Sequence, residues 1–160
     1  ARIQEGVVSL DAFGGILRAG LAGEPLVISP NRREAEEVVG YEFQDDADLA
    51  SGAEALAQMG AQIVLIHDDD GCVARFGDGK DGRTFRARLA PVSEIVATVG
   101  SGDAFLAGFV SSWLAHHDHD RALRRAVACG AANALRLGAG ALDPDDAEAF
   151  ARRVEITAIA

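Results

Sequence analysis

The sequence predicts an α/β protein with a mostly parallel sheet, helices on both faces and an antiparallel edge hairpin. Three observations carry that prediction: short continuous apolar runs, helical apolar spacing between them, and one stretch where apolar residues alternate instead. Strands buried on both faces read as continuous runs, whereas half-exposed antiparallel strands alternate. The runs are Gly6-Val7-Val8-Ser9-Leu10, Pro25-Leu26-Val27-Ile28 and Ile63-Val64-Leu65-Ile66. Residues 14–22 between the first two have helical spacing, with Ile16, Leu17 and Leu21 expected on the inner face. This β-α-β rhythm predicts a parallel pair with a right-handed crossover.

The remaining elements follow from local signals. Asn31 and Glu34 have the spacing of a capping box and open a helix that Gly40 closes. Residues 46–59 form a second helix, with Leu49, Ala53, Leu56 and Ala57 inward and Gly60 as its C′ residue. Residues 72–76 and 84–89 alternate with period two around a turn-rich link, which predicts the hairpin. A helix follows Gly100-Ser101-Gly102 and runs to about Ala115, and another spans residues 121–137. Asp143-Pro144 starts a last helix with Pro at N1, and Val154-Glu155-Ile156 has the character of a final strand.

Composition narrows the class. The 160 residues are enough for one domain, 1–160, with its own core. Hydrophobic residues make up 49% of the chain, and no apolar run approaches the length that spans a bilayer. A formal net charge of −10 argues against nucleic acid or an anionic membrane surface as partner. With no secretory signal at the start, the expected location is cytoplasmic. Cys72 and Cys129 stand apart and read as small buried side chains. The first residue is Ala1, as in a processed chain or a fragment.

The most informative stretch is Ala97-Thr98-Val99-Gly100-Ser101-Gly102-Asp103. A glycine-bracketed turn that enters a helix aims unpaired N–H groups and the positive end of the macrodipole at one point, which suits a phosphoryl group. Asp103 in that first turn is a candidate base for taking a proton from a nucleophile. Thr, Ser and Asp are also favoured N-cap types, so the same run would serve to cap the helix.

Thr98-Val99-Gly100-Ser101-Gly102-Asp103 resembles the Thr-x-Gly-(Ala/Ser)-Gly-Asp signature of the PfkB, or ribokinase-like, carbohydrate kinases. Pro30-Asn31-Arg32-Arg33-Glu34 resembles their Pro-Asn-x-x-Glu motif. Asp11-Ala12-Phe13-Gly14 and Gly130-Ala131-Ala132-Asn133-Ala134 resemble segments of the phosphofructokinase and tagatose-6-phosphate kinase branch. The matches fall in the C-terminal half of a family member, and the half that carries the lid and sugar recognition has no counterpart here. The resemblance implies ATP-dependent phosphorylation of a sugar or sugar-phosphate hydroxyl. It makes Asp103 the base and gives the charge on the transferring oxygens to the N–H groups of Ser101, Gly102 and Asp103, presented after Gly100. Asn31 and Glu34 would hold Mg²⁺ through water, Thr98 would lie on the nucleotide side, and residues 91–96 with Gly130 to Asn133 would border the adenine. A chain of this extent alone is expected to be nearly inactive, since nothing in it closes over a sugar, and its uncovered sheet edge suits pairing into a homo-oligomer. A degenerate nucleotide-binding module and a ribose- or nucleoside-type kinase are the alternatives.

Three positions depart from the family pattern. Ser29 replaces a Lys, and Ile66 and Asp68 stand where the family has Ser and Gly beside the phosphates. The last two remove a donor and add negative charge, which would oppose ATP. His116-His117-Asp118-His119-Asp120 reads as a solvated link between helices, and Asp68 to Asp70 as an acidic turn.

Overall fold

The structure is a computed structural model that describes residues 8–77, 79–92 and 95–159. Gly6 and Val7 of the first expected strand therefore lie outside the described residues, as do two residues of the expected adenine border. Six strands hydrogen-bond in strict chain order, β1-β2-β3-β4-β5-β6. Two compact units divide the chain. The first comprises 1–66 and 74–84, and the second 67–73 and 85–160.

In the first unit, β1 (Ser9–Leu10), β2 (Val27–Ile28) and the start of β3 (Ile63–Asp68) pair in parallel, with Leu10 opposite Ile28 and Ile28 opposite Val64. Helix α1 (Gly14–Leu21) connects β1 to β2 and buries Leu17 and Leu21. Ile16 is 65% exposed, contrary to its expected inward position. Leu17 and Leu21 are one turn apart, whereas Ile16 is rotated about 100° away from Leu17. Between β2 and β3 come α2 (Arg32–Val39) and α3 (Asp46–Gln58), the latter capped by Asp45 through the N–H groups of Ala47 and Asp48.

The link between α2 and α3 is clamped by charge. Glu36 Oε1 accepts from Phe43 N at 2.8 Å and from Arg32 Nε at 3.1 Å, while Arg32 also donates to the Phe43 carbonyl. Phe43 is buried in the core at 0% exposure with the tip of its ring against Gly52, where a Cβ would collide with it. Buried Arg75 on β4 (Gly71–Phe76) bonds Thr84 Oγ1 at 3.0 Å and the Gly79 carbonyl at 2.7 Å, fastening the link to β5 (Arg83–Arg88).

The second unit is built on α4 (Ser101–His116) and α5 (His119–Ala134), followed by α6 (Pro144–Ala151) and β6 (Glu155–Ile159). Small residues let α4 and α5 approach closely: a Cβ on Gly108 would stand 2.9 Å from Cys129 Sγ and the Arg125 carbonyl. Asp118 caps α5 through Arg121 N, and Asp143 caps α6 with Pro144 at N1. His119 stacks on Phe85 with ring centroids 4.6 Å apart, so the histidine-rich link is partly packed rather than wholly solvated. A two-residue turn joins β3 to β4, and Leu89 N bonds the Asp70 carbonyl, so β3, β4 and β5 form an antiparallel meander with β6 as its outer neighbour. Arg86, 2% exposed, closes on both carboxylate oxygens of Asp68 at 2.8 and 3.0 Å. Among the described residues no helix is long and apolar enough to cross a membrane.

Two outcomes follow from these contacts. The Phe43 N–H, with help from Arg32, holds the Glu36 carboxyl below its ordinary value of 4.5 against an opposing effect of burial. A depressed carboxylate stabilises the fold above its unfolded value and loses that contribution as pH falls through its folded one. Glu36→Gln should therefore lower the thermal midpoint at pH 7 and leave it nearly unchanged well below pH 4.5, read by melts across pH. Burial pushes the Cys72 thiol up to about 12 and also raises Cys129, where Arg125 opposes it. Both thiols should resist a disulfide exchange reagent at pH 8 in the folded chain and react fully once it is denatured.

Candidate functional site

The N-terminus of α4 is open. Its N-cap residue is Gly100, at φ +81° in the left-handed region, and no side chain caps it. Asn31, Asp45, Asp118 and Asp143 cap α2, α3, α5 and α6 with their side chains. Thr98 is exposed and contributes its carbonyl, not its hydroxyl, to the turn. The capping alternative for this run is thus not what the residues do. Gly100 is forced by space as well as by φ, because a Cβ there would lie 2.5 Å from Ala139.

The turn presents fewer donors than expected. Ser101 N bonds the Thr98 carbonyl at 3.1 Å, closing a tight turn, and Ala104 N begins the helical ladder on the Gly100 carbonyl at 2.9 Å. The Gly102 and Asp103 N–H groups between them are the donors left for an anion, as expected in a helix's first turn. Asp103 is exposed, and no hydrogen bond or ion pair holds its carboxylate among the described residues. The expected cradle of three N–H groups is corrected to two, since Ser101 spends its own on the turn.

Asn133 and Gly130 support the turn from α5. Asn133 is 0% exposed, and its Nδ2 donates to the Val99 carbonyl at 3.0 Å and to Ser101 Oγ at 3.3 Å. A Cβ on Gly130 would stand 3.2 Å from the Ser101 carbonyl. Full burial corrects the expectation that Asn133 meets a nucleotide directly: it holds the backbone that would. Ile95, Val96 and Val99 are 64%, 54% and 71% exposed, leaving an apolar surface beside the turn.

Sequence reasoning missed two neighbours. His67 is half-buried, its ring centroid 5.4 Å from that of Phe105, with Cε1 and Nε2 3.6 Å from where a Gly102 Cβ would stand. Arg86 cancels the charge of Asp68, so the acidic departure there does not present an uncompensated carboxylate. Spacing carried no signal for this pair, which reaches from β5 across β4 to the end of β3.

In the first unit, Asn31 and Glu34 form the expected capping box: Glu34 N donates to Asn31 Oδ1 at 3.0 Å, and Asn31 N to Glu34 Oε2 at 2.9 Å. Both line a cavity of about 640 Å³ that also holds Phe13, Glu36, Glu37 and Glu42. The box occupies Asn31 Oδ1 and one oxygen of Glu34, so direct chelation has little to use, and no group of three or more His, Cys, Asp or Glu is arranged around a metal among the described residues. The remaining carboxylate oxygens of this acidic cavity fit a hydrated Mg²⁺ held through water, a cation that keeps much of its hydration.

Comparison with known proteins identifies the family. The sequence matches the profile described as pfkB family carbohydrate kinase over residues 10–146. It is 28% identical over 150 residues to the 1-phosphofructokinase of Escherichia coli K12, covering 93% of this chain and 46% of that protein. It is 35% identical over 153 residues to the ATP-dependent ribose-1-phosphate kinase of Halopiger xanaduensis, covering 87% of this chain and 50% of the relative. The crystal structure of a candidate phosphofructokinase from Staphylococcus aureus aligns with a TM-score of 0.82 at 30% identity, over 94% of this chain and 47% of that one. The chain spans about half the length of the curated relatives it matches. With the family profile running through most of its length, this chain belongs to the pfkB family of carbohydrate kinases.

Proposed function

We propose that this chain carries the phosphoryl-transfer end of an ATP-dependent sugar or sugar-phosphate kinase. The observation that carries the reading is the uncapped start of α4, where Gly100 turns the backbone and Asp103 stands exposed beside two open N–H groups. Asp103 takes the proton from the acceptor hydroxyl as its oxygen attacks the γ-phosphorus of ATP, and the bond from that phosphorus to the departing ADP oxygen breaks. The Gly102 and Asp103 N–H groups stabilise charge on the transferring oxygens, the main demand of phosphoryl transfer on a protein. Asn133 keeps Val99 and Ser101 in register so that those donors point outward. Exposed Ile95, Val96 and Val99 offer an apolar bed for a base. In the first unit, Asn31 and Glu34 would hold hydrated Mg²⁺ through water. The names of the relatives favour a phosphorylated sugar as acceptor, a hexose or a pentose.

A second reading is a folded module that no longer catalyses, favoured by Ile66, which is fully buried where the family pattern has a serine hydroxyl. Calorimetric titration of the chain with Mg-ATP separates the two: saturable heat supports the kinase reading, and neither heat nor a thermal shift leaves the module. On its own the chain should show little turnover, having nothing to exclude water from the transfer.

Two substitutions test the assigned roles. In the protein as its gene encodes it, Asp103→Asn should lower sugar phosphorylation by roughly 10²- to 10⁴-fold while leaving the Mg-ATP titration intact. Asn133→Ala should weaken Mg-ATP binding and cost about 1–3 kcal/mol of stability by leaving the Val99 carbonyl without its buried donor. Unaltered nucleotide binding in a folded Asn133→Ala chain would remove it from the supporting role.

A further inference from the structure

Roughly 20 Å from the turn, at the opposite end of α4, the second unit contains a cavity of about 440 Å³ lined by Arg121, Arg124, Arg125, Arg152, His116 and Glu148, among others. Two of the four arginines are already committed. Arg124 holds Asp120 at 2.8 Å and the Val154 carbonyl, and Arg152 holds Glu148, the one carboxylate of the lining, at 3.1 Å. The guanidinium groups of Arg121 and Arg125 have no hydrogen-bond or ion-pair partner among the described residues, although the two residues stand one turn apart on α5. Like charges at that spacing repel by a few tenths of a kcal/mol. In a chain of net charge −10, so dense a positive cluster is conspicuous.

We propose that this groove binds a phosphorylated small molecule at a site separate from the α4 turn and independent of the phosphoryl-transfer reading. Two guanidinium forks four residues apart match the oxygens of a phosphate monoester, each fork able to donate two parallel hydrogen bonds. The volume suits a ligand of sugar-phosphate size and lies within the usual range of small-molecule sites. The fixed pairs of Arg124 and Arg152 form the walls, leaving Arg121 and Arg125 as the charge that a ligand neutralises. A polyanion such as nucleic acid is disfavoured by the acidity of the whole chain. A ligand here would bind the folded state alone and raise its stability by mass action.

The single tryptophan, Trp113, neighbours two residues of the lining, Ser112 in sequence and His116 one turn on, and so reports locally. The 160-residue chain is titrated with glycerol 3-phosphate while Trp113 emission is followed, with glycerol and with sodium chloride at matched ionic strength as controls. A saturable change with glycerol 3-phosphate alone is expected. Arg121→Gln/Arg125→Gln should raise the half-saturation concentration by roughly tenfold or more, and Arg121→Lys/Arg125→Lys by less, because charge remains while the fork is lost. Neither pair of substitutions removes an intramolecular partner, so the melts without ligand should match the parent. If the glutamine variant does not fold, Arg152→Gln replaces it, with weakened binding expected there as well. An unchanged curve in the folded variants, a response reproduced by sodium chloride, or no saturation would each overturn the site.

Discussion

A side-chain amide that has no contact with solvent governs the geometry of the turn that opens α4. Asn133 reaches from α5 to the Val99 carbonyl and the Ser101 hydroxyl, on either side of the left-handed Gly100. It can do so only because α4 and α5 approach closely, and Gly108 and Gly130 permit that approach. Burial makes the amide effective, since an unmet carbonyl in that place would be costly. The same packing removes the side chain from any ligand, so its influence is felt through backbone it fixes. The shape of this turn depends on a residue that touches nothing but protein.

The electrostatic problem is how an acidic chain holds anions. Its solution is local. At the α4 turn the peptide dipoles offer positive potential without adding to the net charge. Around the β3–β4 turn, the one carboxylate that would oppose an anion is closed off by a buried arginine in a two-oxygen grip. In the first unit, by contrast, carboxylates gather around the capping box and make a surroundings suited to a hydrated cation. Formal charge summed over the chain therefore predicts little about what each surface receives.

Most of the architecture was legible in the sequence because it is written in periodicity and punctuation. The continuous runs at Val27–Ile28 and 63–66, the capping box at Asn31 and Glu34, and Pro144 at the start of α6 all carry local signals that tertiary contacts do not override. Ile16 was misplaced because it lies about 100° round α1 from Leu17, at the margin of the apolar stripe, and spacing alone does not say how wide the buried face is. The turn at Gly100–Asp103 was legible as an anion site, but its donor count was not. Whether Ser101 N points outward or closes on Thr98 depends on a dihedral at Gly100 that composition leaves free. The burial of Asn133 and the pairing of Asp68 with Arg86 were invisible for a different reason. Each joins residues 18 or more apart through side chains whose types alone suggest exposure.

The strand order repeats the order of the chain from β1 to β6. Each strand up to β5 finds its partner in the strand made just before it, whereas β6 (Glu155–Ile159) reaches back over α4, α5 and α6 to β5 (Arg83–Arg88). Loop closure is then short at the β3–β4 turn and long for β6, and folding speed follows the mean separation of contacting residues. As the chain leaves the ribosome, the sheet can lengthen by one strand at a time, with β1 to β3 zipped before α4 has been synthesised. The Gly100–Asp103 turn is thus synthesised only after β1 to β5 are complete.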